Sequence, residues 1–184
     1  VTELRRTPLY AKHVALKAQM VEFGGWQMPL IYPTGVLAEH LATRRAAGLF
    51  DVSHMGRFIF RGTAAVPFLQ HVLTGNAQAL DAGQAQYTII PNDTGGAIDD
   101  AYLYRFVPDE YMLVVNAANR QKDWDHFQAQ LAMDAESGAG SRFGDVILVD
   151  RSDELAMISL QGPASRGIIE GLLDEGELPE PRRN

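Results

Sequence analysis

The chain has 184 residues, enough for one domain or two small ones, and its 46% hydrophobic and 21% charged residues are those of a soluble globular protein. A formal net charge of −7 argues against a general nucleic-acid surface, and the lack of cysteine excludes disulfides, thiolate nucleophiles, iron–sulfur ligation and cysteine–zinc sites. No apolar run approaches the roughly 20 residues that span a bilayer, and VTELRRTPLYAKH has neither a signal-peptide core nor a transit-sequence character; the compartment stays open, with a cytoplasmic reading the simplest.

In chain order, PTGVLAEHLATRRAAG (33–48) reads as a helix. Thr34 is placed to cap it, Val36, Leu37, Leu41 and Ala42 form a loose apolar stripe, and Gly48 ends it. FDVSHMG (50–56) holds Asp51, Ser53 and His54, which invites a Ser-His-Asp reading. Triad members normally converge from separate segments, and neighbours in an extended chain face opposite ways, so a turn with polar caps is expected instead. RFIFRG (57–62) reads as a strand, and TAAVPFLQHVLTG (63–75) as a helix that tolerates Pro67 only in its first turn. AQYTII (85–90) is a strand and PNDTGG (91–96) a turn cluster. DAYLYRF (100–106) and YMLVVN (111–116) form a hairpin closed by VPDE. NRQKDWDHFQAQLA (119–132) is a helix, with Trp124, Phe127 and Leu131 at spacings of three and four. The small, polar ESGAGSRFG (136–144) reads as a linker. DVILVD (145–150) and LAMISL (155–160) then read as strands joined by RSDE, and QGPASRGIIEGLL (161–173) as a helix entered near Pro163. The order strand, helix, strand, hairpin, helix over 57–133 predicts an α+β fold with antiparallel sheets and flanking helices.

The chemistry-bearing patterns are few. None of His13, His40, His54, His71 and His126 has a partner at i, i+4, and HExxH is absent, so no metal site is expected. GxGxxG after a strand and GxxxxGK[ST] are also absent, which leaves dinucleotide and P-loop sites unsupported. GGAIDDAYLY (95–104) stands out because two adjacent carboxylates, which repel each other, head an apolar run. Extended backbone puts Ile98, Asp100, Tyr102 and Tyr104 on one face and Asp99, Ala101 and Leu103 on the other. In one reading both acids are turn residues and the tyrosines are half-exposed sheet residues, and pattern alone favours it. In another, Asp99 accepts backbone N–H bonds at the turn while Asp100 and the tyrosines face a flat, polar aromatic ligand. A Mg²⁺ site on the pair lacks an accompanying phosphate-binding loop. Asn116 suits either a ligand amide or the cap of the next helix.

Six stretches taken together narrow these choices. TPLYAKH (7–13), VEFGGWQMPLIY (21–32), GLFDVSHMG (48–56), QYTIIPNDTGGAIDDAYLY (86–104), LVVNAANRQKDW (113–124) and ISLQGPAS (158–165) resemble the aminomethyltransferase, or T-protein, family of the glycine cleavage system. They follow that family's order and spacing from about residue 5 to about residue 170. The resemblance covers only the family's N-terminal portion. A later Gly-Tyr-Thr-Gly-Glu segment, an arginine-bearing segment and a C-terminal barrel have no counterpart, so a fragment of a longer protein is expected.

The resemblance implies three domains around a channel that holds tetrahydrofolate, with the third, barrel domain absent here. Domain 1 is discontinuous in the family. Its first piece is expected at 1–50, domain 2 at 51–137, and the return into domain 1 at 138–184. The implied reaction takes the aminomethyl group from the lipoyl arm of H-protein, releases ammonia and passes the methylene to tetrahydrofolate. Asp100 is the implied catalytic carboxylate, beside the reacting folate nitrogens. Met55, Tyr87, Asp100, Tyr102, Tyr104 and Asn116 are the implied folate-site residues, Tyr102 mainly through its backbone. The implied partners are lipoylated H-protein and folate, with no nucleic acid, membrane or metal. The implied compartment is the cytoplasm, or the mitochondrial matrix in a eukaryote. Two other readings share the resemblance: a YgfZ-type folate-binding assembly factor, and the folate domain of a dimethylglycine or sarcosine dehydrogenase or a related demethylase. The close GGAIDD and VVNAAN matches favour the transferase over the first. The short stretch before TPLYAKH favours a stand-alone T-protein over the second. The 184-residue chain alone is expected to be inactive.

Overall fold

The structure, a computed structural model, describes residues 3–136 and 140–178. The chain opens with β1 (Arg5–Arg6), α1 (Tyr10–Ala15), β2 (Gln19–Phe23), β3 (Trp26–Ile31), α2 (Val36–Arg45) and β4 (Gly48–Asp51). It continues through β5 (Gly56–Arg61), α3 (Ala65–Val72), β6 (Gln84–Pro91), β7 (Ala97–Val107), β8 (Glu110–Val115), α4 (Arg120–Glu136) and β9 (Ile147–Asp150). β10 (Ile158–Gln161) and α5 (Ser165–Glu170) follow. The fold is α+β. Every strand pair among the described residues is antiparallel except the short parallel pair β1–β3. Two compact units emerge: residues up to His54 together with those from Ala156 on, and Met55–Leu155.

The first unit contains a three-stranded sheet in the order β1-β3-β2 and a β4–β10 ribbon in which Gly48 pairs with Gln161 and Asp51 with Ile158. The β2–β3 hairpin turns at Gly24 and Gly25, both at positive φ (57° and 86°), where a side chain would be strained. α2 starts two residues later than Thr34. Its N-cap is Gly35 at φ 88° with no side-chain cap, so Thr34 does not do the capping the sequence suggests. Glu39, one turn in, instead takes the Tyr32 N–H at 2.8 Å. Gly48 opens β4 rather than ending the helix, and α5 is shorter than 161–173.

The second unit is one five-stranded sheet in the order β6-β7-β8-β5-β9, with α3 and α4 packed on one face. Strand alternation sends Phe58, Phe60, Ala101, Leu103, Leu113 and Val115 to that face. Phe68, Leu69 and Val72 of α3 and Phe127 of α4 meet them there. Edge-to-face rings, Phe60–Phe127 at 5.5 Å and Phe58–Trp124 at 5.2 Å, lock α4 to β5. Burying one such side chain stabilises the unit by about 1.5–3 kcal/mol.

The stretch 136–144 does not behave as a linker where it is described. α4 runs to Glu136, residues 137–139 lie outside the described residues, and the chain then folds back onto α4. The Asp134 carboxylate accepts from Ser141 Oγ (2.7 Å), Phe143 N (3.0 Å) and Arg142 Nε (3.1 Å), and the Phe143 ring joins the core at 5% exposure. The chain stays in this unit through β9, which pairs with β5 (Phe58 opposite Asp150). It leaves at Ala156, later than 138, and enters at Met55, later than 51. The strands on either side of RSDE lie in different sheets, because β10 pairs with β4.

Candidate functional site on the open face of the five-stranded sheet

Asp99 and Asp100 are strand residues, not turn residues. The preceding turn closes on Asn92, whose Oδ1 accepts from Thr94 N (3.1 Å), Thr94 Oγ1 (2.8 Å) and Gly96 N (2.8 Å), and β7 has already begun at Ala97. Alternation along β7 then separates the two acids. Asp99 turns to the helix-covered face with Ala101 and Leu103 and is 7% exposed, while Asp100, Tyr102 and Tyr104 turn to the other face.

Asp99 is buried among donors. Its Oδ2 accepts the Asn116 backbone N–H (3.2 Å), and its Oδ1 accepts the side-chain amides of Asn116 (3.0 Å) and Asn119 (2.7 Å). Burial opposes its ionisation. The hydrogen bonds from Asn116, Asn119 and Asp123 outweigh that and hold the carboxyl below the ordinary aspartate range. The turn role expected of Asp99 is therefore replaced by a structural one, between β7, the end of β8 and the start of α4.

Asp100 is exposed and fixed from two sides. The Tyr87 hydroxyl donates to its Oδ2, and the Asn116 side-chain amide donates to its Oδ1 at 2.9 Å. The register explains both. Ala101 pairs with Val115, which puts Asn116 across from Asp100, and Tyr87 pairs with Tyr102 one step along the same face. The hydrogen bond to Asp100 and its negative charge push the Tyr87 phenol above its usual pKa. An aromatic row continues from there. Tyr87 and Tyr102 lie 6.3 Å apart, Tyr102 and Tyr104 5.0 Å, and Tyr104 stacks on Phe106 at 5.5 Å. Burial raises the Tyr104 phenol, so it is neutral near pH 7.

Of the six residues singled out from the sequence, Tyr87, Asp100, Tyr102, Tyr104 and Asn116 thus come together on one face. Met55 directly precedes Gly56, the register partner of Val115, and so stands at the strand end that carries Asn116. Sequence reasoning passed over Asn119, Lys122 and Asp123. A signal for Asp123 was present, since it stands four and eight residues before Phe127 and Leu131, an acid in line with the apolar stripe.

In the first unit FDVSHMG does not assemble a triad. Asp51 Oδ2 meets His13 Nε2 at 3.0 Å, and its Oδ1 accepts the Ser53 N–H at 3.0 Å. The Ser53 hydroxyl donates to Met157 O at 3.0 Å, and His54 packs edge-on against Phe23 at 5.7 Å. Among the described residues no group of three or more His, Cys, Asp or Glu side chains is placed to hold a metal ion, and no helix is long and apolar enough to cross a membrane.

Comparison with known proteins adds the context. A family model described as the GCVT N-terminal domain matches residues 9–180. The aminomethyltransferase of Thermus thermophilus is 46% identical over 181 residues, covering 98% of this chain and 48% of the relative. That of Deinococcus deserti is 46% identical over 173 residues, covering 94% and 45%. The crystal structure of glycine cleavage system aminomethyltransferase T from Bartonella henselae superposes with a TM-score of 0.79 at 36% identity, covering 91% of this chain and 43% of that one. The chain therefore spans about half the length of the relatives it matches.

Proposed function

The chain belongs to the GCVT N-terminal domain family, and on that premise we propose that the protein carrying it is a tetrahydrofolate-dependent aminomethyltransferase of the glycine cleavage system. Its substrate in this reading is the aminomethyl group on the lipoyl arm of H-protein, and its products are ammonia, the lipoyl thiol and 5,10-methylenetetrahydrofolate. The protein works in the cytoplasm with these two partners, and the folate face lies on the open side of the five-stranded sheet.

One observation carries the reading: an exposed carboxylate, Asp100, held on both oxygens by Tyr87 and Asn116 within a row of tyrosines. A reduced pterin is flat and rich in N–H donors, and this face offers it a fixed acceptor beside ring surfaces. Tetrahydrofolate supplies the two nitrogens that receive the methylene, and the two protons they lose appear on ammonia and on the lipoyl thiol. Asp100 orients the donors by charge-assisted hydrogen bonding, stabilises positive charge that develops near it, and assists proton movement. Tyr87 and Asn116 hold Asp100 in place, so little reorganisation is needed when charge develops. Tyr102, Tyr104 and Met55 line the face and exclude water from it.

Calorimetric titration of tetrahydrofolate into the full-length gene product tests this assignment. Asp100→Asn is expected to weaken binding about 10- to 100-fold, matching the ~1.5–3 kcal/mol of a hydrogen bond to a charged group. Unchanged affinity in a folded variant sinks the role given to Asp100.

A further inference from the structure

Behind Asp100 lies a carboxyl group that the proposed reaction does not use. Asp123 sits in the first turn of α4, is fully buried, and anchors its backbone N–H on Asn119 O at 2.9 Å. Neither of its carboxyl oxygens meets a hydrogen-bond donor among the described residues. The charges around it are Asp99 and Asp100 on β7 and Lys122 on α4. The Lys122 ammonium is committed to Ile98 O at 2.6 Å. Two ionised carboxylates in so dry a place would be prohibitive, so one must keep a proton. Asp99 already accepts from three N–H groups and is the natural bearer of the charge. That leaves the proton on Asp123, as the donor to Asp99.

We infer that Asp123 is a positioning residue, which lends its proton to Asp99 and thereby keeps the Asn116 amide set against Asp100. The same Asn116 Nδ2 spans both acids, at 3.0 Å from Asp99 Oδ1 and 2.9 Å from Asp100 Oδ1, so any recoil of Asp99 moves the group that holds Asp100. The consequence for ligand binding rests on the reading of Asp100 as a folate contact. Burial first, then the hydrogen bond to Asp99 and its charge, push the Asp123 carboxyl up to about 8. Above that pH the pair carries two negative charges, and the clasp on Asn116 loosens.

The test uses the full-length gene product with Asp123→Asn and Asp123→Ala. Asparagine keeps the shape and a donor toward Asp99 but cannot ionise; alanine removes the donor. The Asn116 side-chain amide signals in nitrogen–proton NMR, recorded without folate, are expected to titrate near pH 8 in the wild type and to stay flat in Asp123→Asn. Tetrahydrofolate affinity is expected to fall about tenfold between pH 7 and pH 9 in the wild type. Asp123→Asn should lose that dependence while matching the wild type at pH 7 within about twofold, and Asp123→Ala should bind at least about tenfold more weakly at pH 7. An Asn116 titration that persists in Asp123→Asn overturns the inference, as does wild-type affinity in a folded Asp123→Ala. A wild type whose amide titrates as described but which binds no tetrahydrofolate supports the shared proton and defeats the folate reading alone.

Discussion

Asp99 and Asp100 differ by one position and by an entire face of the sheet, and their energetics separate accordingly. Asp99 is a buried acceptor for three donors, so Asp99→Asn sets an amide against amides and leaves donors unmet. The expected loss is about 1–3 kcal/mol of unfolding free energy, measured by urea denaturation at pH 7. Asp99 and Asp123 also pull stability in opposite directions with pH. The depressed Asp99 pKa gives stability that is present above 3.8 and lost as pH falls through its lower folded value. Asp123, raised from 3.8 to about 8, keeps a proton that the unfolded chain has released, so its contribution declines as pH rises between those values and is level above them. A single such proton costs up to about 1.4 kcal/mol per pH unit. Asp123→Asn removes this slope, so the variant's stability relative to wild type should climb from pH 5 to pH 7.5 in parallel urea melts. A constant difference would show that Asp123 is ionised in the folded protein.

At the scale of elements, the second unit was legible wherever one segment carried its own pattern. Alternation marked β5, β6, β7 and β8, and the Trp124, Phe127 and Leu131 stripe marked α4. Phe127→Ala is expected to cost about 3–5 kcal/mol, because its ring meets Phe58, Phe60 and Phe68. What was not legible depended on partners distant in sequence. The small, polar character of 136–144 concealed the tie between Asp134 and Phe143 that keeps this stretch in the core. Asp145 caps the entry to α3 from 80 residues away, accepting from Thr63 N (2.8 Å) and Ala64 N (2.9 Å), and no local motif announces it. Asp145→Ala should lower the melting temperature by freeing these donors, with Asp145→Asn recovering part of the loss. β1, β2 and β3 are not legible in the sequence, because strands of two to six residues with mixed polarity give periodicity too little length to register. The face bearing Asp100 was half legible. Strand alternation put the tyrosines beside it, but the clasp by Asn116 and the carboxyl behind it needed the register of β7 on β8 and the start of α4.

For the whole molecule, the decisive fact is extent. The chain spans 48% and 45% of two aminomethyltransferases to which it is 46% identical. The proposed activity therefore belongs to a protein of roughly twice this length, and the 184-residue chain by itself is expected to show no methylene transfer when assayed with aminomethyl-lipoyl H-protein and tetrahydrofolate. Transfer by the isolated chain would mean that the open face of the five-stranded sheet suffices. Single-turnover transfer by the full-length protein and its Asp100→Asn variant, at saturating tetrahydrofolate, tests whether Asp100 serves this reaction. The wild type should form 5,10-methylenetetrahydrofolate and ammonia together, and the variant should be slower by at least about 100-fold, as for loss of a charge that stabilises the transition state. Transfer by the folded variant at the wild-type rate would contradict a role for Asp100.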